Sequence, residues 1–286
     1  MANRSYLYSL SNRPTSYADR PETISGVSEW NYDVPFMYRL LMSGDPQLCA
    51  SLIADGLDDD EADEKVKLYA ISSNFEPGFA RVKRFIEMVR FLATQAPTPS
   101  PAAPPTAPAA APKATSFIDQ LKGWFSPSAA SKAPPAAVAP AATTPATGST
   151  QLPKWLDDTL AFLETHRDEH LLLETVELDT MSESEEAPLR ACVEQELARC
   201  QQAGAALDAL SQDIAAAAQL LREAGATKQA APLDAFFGLR FDDDCDSTRS
   251  RATEYPLGLQ WHDVLYFGLF NRAEFEAAQR GDAAAA

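Results

Sequence analysis

The sequence predicts an α+β fold, mainly helical, in which two folded segments flank a long low-complexity tract. Thirteen of the 21 prolines lie between Pro97 and Pro153. Repeated Pro removes backbone donors and Ala offers little apolar area, so this tract cannot offset its ordering entropy. Before the tract, stretches of alternating polarity lie between stretches of helical periodicity; after it, helical periodicity dominates. We therefore predict an α+β segment over 1–95, a Pro/Ala-rich tether over 96–152 and an acidic helical segment over 153–286. A tether of this length leaves open whether the two halves share one core.

The first segment contains six predicted elements. They are a strand over 5–10, a polar loop over 14–26, a helix over 34–42, a second helix opening at Asp45-Pro46, a strand over 66–71 and an amphipathic helix over 79–92. The Asp-Pro pair has the form of an N-cap followed by Pro, which is the usual start of a helix.

The last segment reads mostly as helix. Its predicted elements are a helix from 153 to about 170, an ambiguous strand or helix over 171–178, a helix from 184 that Gly204 interrupts, a helix over 207–221, and an aromatic-rich helix over 261–275. The aromatic-rich element contains Trp261, Tyr266 and Phe270, which are more typical of a core than of an exposed surface.

The charge of the chain is concentrated in its last segment. Residues 153–286 carry 11 basic and 26 acidic side chains, a net charge of −15 out of the −17 of the whole chain. This balance argues against nucleic acid or an anionic membrane as a direct partner, because phosphates would be repelled. It permits a basic protein partner, although the same charge could serve only to keep the protein in solution.

Cysteine usage and hydropathy point to the cytoplasm. The four cysteines, at positions 49, 192, 200 and 245, form no C-x-x-C pair, as expected in a reducing compartment. The N-terminus lacks the apolar region of a signal peptide, and no apolar run approaches the ~18 residues of a membrane span. We therefore expect a cytoplasmic protein without a transmembrane segment.

Residues 166–170 (HRDEH) match the inverted zinc-protease pattern H-x-x-E-H. Histidines at i and i+4 of a helix face the same way, so His166 and His170 could share a metal. The pattern is weak, because a catalytic zinc needs a third ligand and none is evident. The alternative is that both histidines pack along the helix or mark its end.

Two acidic runs, at 58–61 and 242–246, could suggest calcium. An EF-hand loop would need a Gly and a later Glu in register, and neither run has them. We interpret both as acidic loops. Nucleotide-binding, nucleophile-elbow and zinc-ribbon motifs are also missing. The sequence therefore predicts no catalytic residues, no metal and no cofactor.

An apolar island interrupts the tether at 116–126. Its side chains Phe117, Trp124 and Phe125, with Ile118 and Leu121, fall on one face of a short helix. Hydrophobic residues in such a tract are typical of docking sites, either on a folded half of the same chain or in a partner's groove. Membrane contact is a third possibility. It is the weakest of the three, because the island carries a single cation, Lys122.

The opening run ANRSYLYS (2–9), together with ISGVSEWNY (24–32) and Pro35, resembles a group of uncharacterised bacterial proteins that begin with the same eight residues. The aromatic-rich stretch 261–275 is similar to the same group. The group has no established activity or catalytic residues to carry over. Its members accompany interbacterial toxins, and the resemblance therefore implies a role in immunity.

These observations favour a non-enzymatic cytoplasmic binding protein, an immunity protein that occludes a basic toxin. The acidic run supplies the expected contacts through Asp242, Asp243, Asp244 and Asp246. Two alternatives remain: a metal-dependent hydrolase that uses the HRDEH segment, and an adaptor that recruits a partner through the tether island.

Overall fold

The computed structural model describes residues 3–57, 65–95, 151–247 and 255–285, with side chains described to residue 281. Five strands in these ranges form one antiparallel sheet in the order β2-β1-β5-β4-β3. The strands are β1 (Arg4–Leu10), β2 (Ile24–Asn31), β3 (Gln47–Ala50), β4 (Tyr69–Asn74) and β5 (His170–Glu174). The α+β class is confirmed.

The central strand β5 comes from the C-terminal half of the chain. It pairs with β1 on one side, where Leu7 lies opposite Leu173, and with β4 on the other, where Ile71 lies opposite the same residue. The strands β1 and β4 therefore meet only through β5. Residues on both sides of 96–150 build one sheet and one principal core.

Seven α-helices accompany the sheet within the described ranges. They are α1 (Phe36–Leu41), α2 (Phe75–Thr94), α3 (Leu152–Thr165), α4 (Val176–Asp179), α5 (Glu186–Asp208), α6 (Ile214–Ala226) and α7 (Arg272–Ala285), with a 3-10 helix at Leu233–Phe236. The helix α2 brings Phe79, Val82 and Phe85 into the principal core. At Gly78 a side chain would overlap the carbonyl of Leu41, so the glycine permits close packing of α2 on α1.

The two faces of the sheet bury different side chains, because side chains alternate along each strand. Leu7 of β1 and Leu171 and Leu173 of β5 join the principal core with the helices. Tyr6, Tyr8, Leu10 and Leu172 point to the opposite face, where they form a second cluster.

The second cluster is closed by residues 255–271, which we call the wrap segment. Its first part, including Leu257 and Leu259, lies in the principal core. Its later residues Leu265, Phe267 and Leu269 pack on the second cluster. Between these parts the segment passes the outer edge of β2, where His262 donates its backbone N–H to the carbonyl of Val27 (3.2 Å). The wrap segment therefore covers one edge of the sheet and its second face.

The sequence pattern gave two wrong helix assignments and one wrong helix interruption. Residues 47–50 form strand β3, and the carboxylate of Asp45 accepts from Arg13 instead of capping a helix. Residues 261–271 form neither helix nor strand, and α7 begins only at Arg272. Gly204 does not interrupt α5, because the absence of a side chain there admits Ser43.

The strand β2 falls partly within the stretch predicted as a polar loop. The small and polar residues of β2 allow the backbone of the wrap segment to lie against it. Ser28 donates to the carbonyl of Gln260, and the missing side chain of Gly26 leaves room for the carbonyl of Asp263. The second predicted strand is shifted to 69–74, whereas Val66 makes an isolated bridge with Leu57. The ambiguous stretch 171–178 divides into the end of β5 and the short helix α4. Most of the proposed tether, its island and the acidic run 58–61 lie outside the described residues.

Candidate functional site

The outer surface of the wrap segment carries three large apolar side chains. Every second side chain from 265 to 269 points inward, namely those of Leu265, Phe267 and Leu269. The residues between them therefore face outward. Val264 is 82% exposed, Tyr266 60% and Phe270 54%. Exposed apolar side chains in a row are typical of a protein-binding surface, whereas single ones are ordinary. We call these three residues the apolar stripe.

The stripe is held in place by polar contacts to the sheet. The hydroxyl of Tyr8 donates to the carbonyl of Phe267 (2.6 Å), and the backbone N–H of Tyr266 donates to Glu29 (2.6 Å). Arg4 pairs with the same carboxylate (3.2 Å), and its guanidinium lies 4.6 Å from the ring centroid of Tyr266. A surface fixed in this way loses little conformational freedom when a partner binds.

A cleft of about 350 Å³ adjoins the stripe, with Phe270 on its wall. Arg20 lies at its base, with its guanidinium 4.2 Å from the ring of Tyr17 and 4.6 Å from that of Phe275. These contacts bring together the loop before β2, the wrap segment and α7. The cleft can accept an apolar side chain beside the stripe.

Charged side chains of both signs adjoin the stripe. Asp263 belongs to the wrap segment itself, and its carboxylate lies 3.8 Å from Nε2 of His166. Asp168 accepts a hydrogen bond from the hydroxyl of Thr23 (2.5 Å), the residue before β2. Glu22 pairs with Arg272 (2.6 Å), and Arg4, beside Tyr266, pairs with Glu29 (3.2 Å), so both cations are matched by carboxylates. The carboxylates that contact or directly precede the stripe are therefore Glu29, which accepts from the N–H of Tyr266, and Asp263, the neighbour of Val264 in the chain.

A buried carboxyl group lies beneath the second face of the sheet. Glu174, the last residue of β5, accepts from the hydroxyl of Ser51 (2.9 Å) and from the N–H of Leu52 (2.6 Å). Arg20 donates to the carbonyl of the same Leu52 (2.9 Å), so the backbone of one residue links the two buried ionisable groups. Burial raises the pKa of Glu174 to about 7. Its contacts are made with the protein itself, which indicates a structural role.

The four aspartates predicted to bind a partner have internal contacts. Asp243 accepts from the N–H groups of Gln151 and Leu152 at the start of α3 (both 2.9 Å), a position where a carboxylate stabilises a helix. Asp246 accepts from the N–H groups of Gly258 (2.5 Å) and Leu259 (2.7 Å).

The other two aspartates of the run, Asp242 and Asp244, lie beside Arg240 at 3.0 and 3.2 Å. The run therefore stabilises the loop that leads into the wrap segment. Its two most exposed carboxylates already adjoin a cation, which reduces the negative charge that they present to a partner.

The two histidines of the HRDEH segment do not lie on one helical face. The helix α3 ends at Thr165, His166 caps it and stacks on Phe162 with ring centroids 3.9 Å apart, and His170 begins β5. The expected i, i+4 geometry is therefore wrong. Burial lowers the pKa of His170. Across the described ranges, no group of three or more His, Cys, Asp or Glu side chains could hold a metal ion.

The remaining site predictions cannot be placed. Phe117, Trp124 and Phe125 lie outside the described residues, so docking of the island stays a prediction. In the part of the chain that the structure describes, no helix is long and apolar enough to cross a membrane.

The apolar stripe was not predicted as a surface. Tyr266 and Phe270 are more typical of a core by residue type, and Val264 was not singled out. The alternation of 264–270 would have indicated an extended segment with one exposed face, but the density of aromatic residues suggested a helix.

Comparison with known proteins places part of the chain in a family. Residues 11–123 match the family described as a domain of unknown function (DUF7822). The match includes β2, α1, β3, β4 and α2, but not β1 or β5. No curated protein and no solved structure is significantly similar to the chain. The resemblance to an uncharacterised family is confirmed, and the comparisons add no activity to it.

Proposed function

We propose that this protein is a non-enzymatic binding protein, an immunity protein that neutralises a basic interbacterial toxin by covering it. The observation that carries the proposal is the apolar stripe, a row of exposed side chains on a segment fixed to the sheet. Hot spots of protein interfaces are enriched in aromatic anchors of this kind and are surrounded by a polar rim. The resemblance of the N-terminus to toxin-associated proteins supports the same proposal.

The charge of the molecule supports a basic partner. The net charge is −17, and carboxylates such as Asp263 and Glu29 adjoin the stripe. Complementary charge speeds encounter and helps to cover a cationic active site, whereas nucleic acid or an anionic membrane would be repelled. Four cysteines of the described chain are free, which suits action in the cytoplasm.

The test is protection against a toxin encoded next to this gene. A cell that produces the toxin alone should die, and one that also produces this protein should survive. Replacing Tyr266 and Phe270 together by Ala should weaken the purified complex by about 30-fold or more, because truncating an aromatic hot spot typically costs 2 kcal/mol or more. Survival should fall accordingly.

The control is Met181→Ala, which removes an equally exposed apolar side chain (59%) next to α4, away from the stripe. This variant should protect as the native protein does. Equal killing with and without the native protein, and no complex at low salt, would refute the proposal for that toxin. An unchanged affinity of the double variant would refute the stripe as the binding surface.

A further inference from the structure

The cleft beside the apolar stripe has one charged side chain in its wall. Of the described residues that line it, Arg20 alone is charged at neutral pH. Arg20 is only 3% exposed, and arginine is almost never buried to this extent unless a carboxylate pairs with it. The described residues place no carboxylate within ion-pair distance of its guanidinium. The base of the cleft is therefore a buried cation that the chain does not neutralise directly.

The guanidinium of Arg20 also has N–H groups without acceptors. Nη1 donates to the carbonyl of Leu52 (2.9 Å), whereas Nε is buried and has no hydrogen-bond partner among the described residues. Nη2 has no hydrogen bond in the described chain either, and it is not shielded from solvent as Nε is. The rings of Tyr17 and Phe275, 4.2 and 4.6 Å from the guanidinium carbon, attract the charge but do not replace an oxygen acceptor. Arg20 therefore has the chemistry of a carboxylate site.

Three carboxyl groups in the neighbourhood of Arg20 are bound to other groups. Glu174 accepts two hydrogen bonds from the loop after β3, and because its pKa is about 7 it is charged in only part of the molecules near neutrality. Arg272, whose Nε donates to the carbonyl of Arg20 (3.0 Å), lies 4.0 Å from Asp19 and 2.6 Å from Glu22. None of the three lines the cleft. A carboxylate that completes the site must therefore come from a ligand.

The rest of the wall determines the body of the ligand. It contains the aliphatic side chains of Leu52, Ile53 and Leu269 and the aromatic rings of Phe267 and Phe270. The volume of about 350 Å³ lies at the small end of the range of ligand pockets. The net charge of −17 repels anions at long range, although salt at physiological strength screens exposed charges beyond about 8 Å. The cleft therefore suits a compact apolar molecule with a single carboxylate and disfavours polyanions.

We propose that this cleft is a binding site for a small monocarboxylate with an aromatic or branched apolar body. The carboxylate accepts charge-assisted hydrogen bonds from the guanidinium of Arg20. The apolar body packs between Phe270 on one wall and Leu52 and Ile53 on the other residues of the cleft, where its burial supplies most of the affinity. This site does not depend on the identity of a protein partner.

The test uses two probes, 3-phenylpropionate and 4-methylpentanoate, with the full-length protein at neutral pH and physiological ionic strength. Line broadening of the probe signals in proton NMR titrations measures binding. The corresponding alcohols have the same apolar body without the charge, and they should bind about tenfold more weakly or less. Arg20→Met keeps an apolar side chain between the rings of Tyr17 and Phe275 but removes the donors, so it should weaken binding of both acids at least tenfold. The thermal unfolding midpoint of the variant confirms that it is folded.

A second variant keeps the proposal testable if Arg20→Met fails to fold. Gly268 lines the cleft, and a side chain there meets no atom within 4 Å, so Gly268→Leu should fold, narrow the cleft and weaken binding several-fold. Gly281→Leu is the matched control, because Gly281 is equally open but lies outside the cleft wall. Binding that neither cleft variant weakens would overturn the proposal. So would equal binding of acids and alcohols, or no saturable binding of either acid up to about 1 mM.

The carboxylate site and the proposed function fail separately. Tyr266 belongs to the stripe but does not line the cleft, so Tyr266→Ala should weaken the toxin complex and bind both acids as the native protein does. Binding of the acids without toxin protection would refute the proposed function and leave the carboxylate site. Protection without binding of the acids would refute only the carboxylate site.

Discussion

At the scale of single residues, buried polar side chains hold together parts of the chain that are distant in sequence. Glu196 is nearly buried and accepts from Arg39 through both oxygens, at 2.5 and 3.0 Å, while Arg39 also bonds to the hydroxyl of Tyr255. This network joins α1, α5 and the start of the wrap segment. Glu174, unlike Glu196, has no cation hydrogen-bonded to it. Burial therefore raises its pKa.

The first prediction concerns the pH dependence of stability at Glu174. Its pKa is raised from 4.5 to about 7 in the folded protein, so the fold binds this proton more tightly than the unfolded chain does. The stabilisation is complete below pH 4.5 and is lost as the pH rises to about 7, with a magnitude on the order of 3 kcal/mol. Glu174→Gln cannot titrate; its Oε1 can still accept from the N–H of Leu52, whereas its Nε2 can only donate, so the bond with Ser51 must reverse its direction.

This variant should therefore lose less stability than the native protein between pH 5 and pH 8. The free energy of unfolding from urea titrations at both pH values measures the difference. Equal losses in the two proteins would contradict the raised pKa. The sequence did not indicate this buried acid, because its environment depends on β5 lying at the centre of the sheet.

At the scale of elements, local patterns identified α2, β1 and α1 but misassigned segments that are shaped by distant contacts. Strand β1 alternates in polarity and α2 has a continuous apolar stripe, so each signal lies within the element. The wrap segment has no such signal of its own. Its conformation is fixed by β2, at Val27 and Gly26, which precede it by more than 200 residues.

The second prediction tests this contact with a matched pair of substitutions. Gly26→Ala places a methyl group against the carbonyl of Asp263 and the side chain of Leu265, whereas Gly268→Ala meets no atom within 4 Å. Overpacking of this kind costs about 1–3 kcal/mol. Gly26→Ala should be destabilised by that amount, and its amides in 262–270 should exchange faster. Gly268→Ala should unfold like the native protein; equal effects of the two changes would contradict the close approach.

At the scale of the whole molecule, the periodicities of the sequence predicted the α+β class. The order of the strands could not be predicted. The pairing of Leu10 with His170 joins segments that no short-range pattern connects. The candidate site was likewise only partly predictable. The sequence shows that the acidic run is negatively charged, but it does not show the internal hydrogen bonds that Asp243 and Asp246 accept.

The third prediction follows from the central position of β5. A fragment of residues 1–95 holds β1–β2 and β3–β4 but lacks the strand between them. It should not unfold cooperatively alone, and neither should 151–286. Mixed in equal amounts, the two fragments should form a complex that unfolds cooperatively and elutes as one species. Circular dichroism and size-exclusion chromatography measure both effects. Cooperative unfolding of 1–95 alone would contradict the shared sheet.

The late arrival of β5 also has a consequence for the protein as it is made. The last residue of this strand is Glu174, so both N-terminal hairpins leave the ribosome long before their common neighbour is synthesised. At about 5–20 residues per second, the delay is on the order of ten seconds. During this time the inner edges of β1 and β4 have no partner from this chain. Chaperones that bind unpaired strands would therefore act on nascent chains that end before residue 174, and release them once β5 has been translated.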